Sequence, residues 1–153
     1  MNFLTTLHPA TVHFPIALLF FASIAGILYL YNRPRNEFRI LIWWTMLPGW
    51  IGCIVAIFTG LLAQAPLSPQ APYRHLLNWH IGTGIALAIV YGALLYWRWI
   101  RRAQTRVGHD PLLDDSNNRR WITLLLLMGL FLLLASGWNG GRLVYEWGVN
   151  VMR

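Results

Sequence analysis

This 153-residue sequence contains no lysine, a single cysteine and only five acidic residues; all twelve basic residues are arginine. Cys53 alone can form no intrachain disulfide, paired-cysteine metal site or covalent haem attachment. Charged residues make up 11% of the chain, less than half of the roughly 25% usual in soluble domains. Charge is missing altogether from four runs, at about 10–31, 40–62, 76–97 and 121–138. Each is roughly 18–23 residues long, enough for a helix to cross about 30 Å of hydrocarbon. Together they exclude a soluble enzyme domain and leave no room for a separate catalytic one. The fold expected is all-α, a single four-transmembrane-helix bundle over 1–153, in contact with the lipid bilayer.

The net charge of +7 first raises nucleic acid as a partner, but the arginines are placed for topology. Arg33, Arg35 and Arg39 follow the first run, and Arg98, Arg101, Arg102, Arg106, Arg119 and Arg120 surround the connection after the third. Arg74, Arg142 and Arg153 lie elsewhere. Basic loops stay cytoplasmic, so both termini are expected to be extracytoplasmic, in a bacterial inner membrane and without a nucleic-acid partner. With no basic residue ahead of the first run, that run reads as an N-out anchor rather than a cleaved signal. The connection at about 101–120 is polar and turn-rich and reads as a flexible cytoplasmic loop, with His109 in solvent. Tryptophan and tyrosine mark many run ends, among them Tyr31, Trp43, Trp44, Trp79, Trp97, Trp121 and Trp138, as an interfacial belt does. The glycines, including Gly49, Gly52, Gly60, Gly82, Gly84, Gly92, Gly129 and Gly137, serve close packing of membrane helices or of a flat ring.

Four of the five histidines open two of the spans: His8 and His13 the first, His75 and His80 the third. HPATVH and HLLNWH share a five-residue offset, so His13 and His80 are expected at matching depth on parallel helices, with His8 and His75 nearer the surface. An imidazole inside hydrocarbon is costly and faces the bundle interior with a partner. Two neutral imidazoles on facing helices can supply both axial ligands of a haem iron, which makes His13 and His80 the candidate metal ligands for haem b. His8, His75, Arg74 and Arg142 are candidate cofactor-binding residues around them, the arginines for propionate charge. His8 before Pro9 and His75 near Pro72 could equally cap a helix or bond a loop carbonyl. A zinc or copper ion on several of the four histidines is a further possibility, while a dinuclear site is disfavoured because no span holds a carboxylate. No serine or cysteine sits beside a histidine, so nucleophilic catalysis has no support. The chemistry points to an electron carrier rather than an enzyme. Two alternatives are an accessory subunit of a photosynthetic or respiratory complex, or a module binding quinone through His8 or His75.

LHPATVHFPIALLF, RHLLNWH and NGGRLVYEWGV resemble a bacterial membrane family of unknown function, numbered 2231, over essentially the whole chain. The opening motif of that family, His-Pro-x-x-Val-His-Phe-Pro-Ile-Ala, is matched from His8 to Ala17. The resemblance implies a four-helix integral membrane module. Some members are fused to Rieske iron–sulfur domains, which implies a redox setting and a redox partner. In the tail motif Gly140, Gly141, Leu143, Val144 and Tyr145 match, but Trp147 stands where a histidine is often found.

Overall fold

The computed structural model describes residues 3–32, 35–105 and 109–149, with side chains from His8 onward; Arg33, Arg106 and Arg153 lie outside the described residues. Four long helices carry the described chain: α1 (Phe3–Tyr31), α2 (Asn36–Gln64), α3 (Arg74–Arg101) and α4 (Arg119–Tyr145). All four are long and apolar enough to cross a membrane. At 1.5 Å per residue each spans about 40 Å. They outrun the charge-free segments because a helix does not stop where charge begins. Thus α1 already contains His8 and Pro9, which removes the capping role considered for His8. Likewise α4 continues through Gly140 and Gly141 to Tyr145. Pro9, Pro15 and Pro48 lie inside helices, tolerable where neighbouring helices take up the freed backbone groups.

The helices alternate in direction, and glycines set their register. A Cβ at Gly49 would meet Leu18 and Leu19 at 3.0 Å, and one at Gly52 would meet Pro15 at 3.2 Å, so α1 and α2 run antiparallel. A Cβ at Gly129 would meet Tyr91 at 2.7 Å, one at Gly92 would meet Trp50 at 3.1 Å and one at Gly26 would meet Leu126 at 2.7 Å, so these glycines seat α3 on α4, α2 on α3 and α4 on α1. With lipid tails as apolar as leucine, such close seating of large side chains on small ones is what holds membrane helices together. At mid-bundle the hydroxyl groups of Tyr91 and Ser23 lie 2.6 Å apart, both side chains fully buried.

One end of the bundle gathers the arginines. There the connection expected as a flexible loop is packed inward over residues 109–118. Leu112 and Leu113 are buried in the main core. Asp110, 1% exposed, accepts from Trp43 Nε1 at 2.7 Å and from the backbone N–H groups of Leu112 and Leu113 at 3.0 and 3.2 Å. Arg98 stacks over the Trp43 ring at 4.3 Å, its Nε 3.5 Å from Asp110 Oδ2 without hydrogen-bond geometry. Asp114 accepts from the Asp110 N–H at 2.8 Å and from the Tyr29 hydroxyl at 2.5 Å. His109 is half exposed, as expected, but lies 2.9 Å from Asp114. Composition made this segment look disordered because its polar residues are spent on internal turns, while its few apolar ones reach the core.

A candidate cofactor site at the histidine end

The opposite end holds the start of α1 and α3 and the end of α2 and α4, and it is hollow. A second, small apolar cluster, Leu77, Leu143 and Val149, closes it from one side. Val149 is folded back by Gly148, whose φ of 62° is open to glycine and strained for other residues. The Val149 N–H then reaches the Leu143 carbonyl at 2.9 Å. Below this closure lies a cavity of about 540 Å³ whose wall draws on all four helices, including His8, His13, Gln64, His80 and Gly137.

His8 and His80 face each other across the bundle, ring centroids 6.1 Å apart and planes at 75°. Each ring rests on a glycine of the adjoining helix. A Cβ at Gly60 of α2 would come within 3.0 Å of His8 Cε1, and one at Gly140 of α4 within 3.0 Å of His80 Cε1. Each is also held through the same nitrogen. His80 Nδ1 lies 3.0 Å from the Ser136 carbonyl, which can only accept, so Nδ1 carries the proton of the neutral ring. His8 Nδ1 lies 3.2 Å from Thr59 Oγ1, whose own proton goes to the Ala56 carbonyl at 3.1 Å, so His8 is also the donor. Both rings therefore keep an unprotonated Nε2, and among the described residues neither Nε2 has a hydrogen-bond partner. An imidazole donating one N–H to a carbonyl or hydroxyl while its other nitrogen stays free is the arrangement found at metal-ligating histidines.

The expected partner of His80 was His13, whereas the ring across from it is His8. The offset argument counted depth from the start of the apolar runs. Depth is set by where the helices begin, and His8 is the sixth residue of α1 as His80 is the seventh of α3. His13 lies five residues further along α1, exposed on the same cavity, its Nδ1 3.0 Å from the Pro9 carbonyl. The remaining three candidates do not line the cavity. His75 is exposed, its Nε2 accepting from Trp79 Nε1 at 3.2 Å. Arg74, the first residue of α3, is half-buried. Arg142 is exposed, and its Nε donates to Glu146 Oε1 at 2.8 Å. That hydrogen bond holds the Glu146 carboxyl below its ordinary value. Trp147 packs near Tyr73, centroids 6.0 Å apart, away from the cavity wall.

Among the described residues no group of three or more histidine, cysteine or acidic side chains could hold a metal ion. A zinc or copper ion needing three protein ligands is therefore not catered for, and the paired imidazoles fit a metal that takes two. Thr59, Gln64 and Ser136 gave no functional signal in the sequence, since single polar residues in an apolar run look like packing. Gln64 adds an unexplained feature: its Oε1 is buried without a hydrogen-bond partner among the described residues. Leaving such a group unpaired costs about 1–3 kcal/mol.

The family described as a predicted membrane protein, DUF2231, matches residues 4–153. No curated protein and no solved structure matches the chain.

Proposed function

We propose that this chain, which belongs to the DUF2231 family of predicted membrane proteins, binds b-type haem between His8 and His80 and serves electron transfer. The observation that carries this reading is the pair of opposed imidazoles, each anchored through Nδ1 and each with Nε2 free, in one apolar cavity. His8 and His80, whose ring centroids lie 6.1 Å apart, would be the residues that hold the iron. The cavity volume of about 540 Å³ falls within the usual range of about 300–1,000 Å³ for small-molecule sites. When bound, haem supplies reversible one-electron chemistry at its iron. The chain holds each Nε2 in the unprotonated form that ligation needs and orients both rings against glycine backbone. The arginine end is the cytoplasmic one on this reading, and the haem then lies near the outer face of a bacterial inner membrane.

Quinone is the weaker occupant. Imidazole Nε2 atoms that are lone-pair acceptors cannot bond its carbonyl oxygens, which are acceptors too. The test is the visible spectrum of protein purified in mild detergent and reduced with dithionite. A sharp reduced-haem band is expected, lost in His8→Ala and in His80→Ala and kept in His13→Ala. Purified protein that neither carries haem nor develops a bis-imidazole spectrum when haemin is added would overturn the reading.

A further inference from the structure

Resting on the haem reading, we infer that Gln64 holds the carboxylate edge of the ring at the mouth of the cavity. A flat apolar ring bearing ionised propionates must turn that edge toward water, because an unpaired carboxylate in an apolar interior is not tolerated. The histidine end of the bundle, where α2 finishes at Gln64, is the end of the cavity nearer the membrane surface. Gln64 lies one helical turn beyond Gly60, the residue on which His8 rests, so it stands just outside the level of the ligand pair. Its amide is on the cavity wall, and among the described residues the buried Oε1 has no partner. A buried amide position without a partner is rare enough to require a cause, and since the oxygen and NH₂ exchange by a half-turn, a ligand acceptor facing the NH₂ group is one.

The two arginines that could have neutralised propionates do not reach this wall. Arg142 is engaged by Glu146 one turn along α4, and Arg74 belongs to the outermost turn of α3. Among the described residues, the Gln64 amide is an uncharged donor on this wall. Rotated by half a turn, it presents its NH₂ group to a carboxylate oxygen. A glutamine there also fits the low charge of the region, since it gives a hydrogen bond to an anion without burying a cation beside it.

The experiment titrates the purified full-length protein, stripped of pigment, with haemin and separately with haemin dimethyl ester, which has no free carboxylate. Gln64→Leu is expected to bind haemin about tenfold more weakly than wild type, as loss of one hydrogen bond to a charged group implies. The dimethyl ester should bind both proteins alike, and the bis-imidazole spectrum should be the same throughout. Gln64→Glu, which sets like charge against the propionate, should weaken haemin more than Gln64→Leu does. Equal haemin affinity in wild type and Gln64→Leu would overturn the inference, and so would an equal loss for haemin and its ester, which would mean packing rather than carboxylate recognition. A wild type that shows no bis-imidazole spectrum with either compound brings down the haem reading as well, so the two failures are told apart.

Discussion

The two ends of the bundle solve the same problem in opposite ways. At the arginine end a chain segment returns into the bundle, with Asp110, Leu112 and Leu113 all buried. The carboxylates of Asp110 and Asp114 are paired internally, through Trp43, Tyr29 and the turn backbone, while Arg98 Nε lies beside Asp110 without a hydrogen bond. At the histidine end, among the described residues, a cavity of about 540 Å³ stays open beside two rings with free nitrogens. One end turns its carboxylates onto donors of its own; among the described residues the other keeps two imidazole lone pairs and an amide oxygen unpaired. On the proposed reading, the first is a structural end and the second a binding end.

The comparison breaks most visibly if Asp110 is removed. Asp110→Ala strands Trp43 Nε1 and two backbone N–H groups and leaves Arg98 without its carboxylate, so unfolding in detergent should show a loss of about 3 kcal/mol. Haem binding at the far end should be unchanged in the protein that remains folded. Gly129→Ala, at the waist between the two ends, places a Cβ 2.7 Å from Tyr91 and should cost about 2 kcal/mol by the same measurement.

Gly60→Ala and Gly140→Ala sharpen the comparison in the other direction. Each pushes a Cβ to 3.0 Å from a histidine ring that borders open space and can yield. Stability should stay within about 0.5 kcal/mol of wild type, while haemin affinity falls about tenfold because the rings no longer oppose each other. The smallest effect is expected at the Arg142–Glu146 pair. Because the Glu146 carboxyl is held below its ordinary value, its contribution is present at neutral pH and is lost as pH falls through that lowered value. Both side chains are in solvent, so Glu146→Gln should flatten this pH dependence with no measurable change in melting temperature at neutral pH.

The four helices were readable because a bilayer imposes a length and an absence of charge that local composition reports directly. The arginines likewise collect at one end, as their loops required. The 109–118 segment was misread because disorder and a tightly turned plug share a composition rich in aspartate, asparagine and proline; burial of Leu112 distinguishes them, and burial is not a local property. The histidines were found by their rarity in apolar runs. Their pairing was not, since it depends on how far each helix extends before the hydrocarbon begins. Thr59 was invisible, because a hydroxyl in a membrane helix bonds its own backbone as readily as a neighbour's ring, and Ser136 meets His80 through a backbone carbonyl that any residue carries.

The sequence by itself determined an all-helical chain with four membrane-length spans, and it confined the unusual chemistry to histidines at one end. Only the tertiary structure decided that His8 rather than His13 opposes His80, and that Gly60 and Gly140 back them. It also decided that Gln64 waits without a partner. Hydrophobicity acts residue by residue and is written along the chain, whereas a site is made by side chains that meet across helices, and helix register sets which ones do.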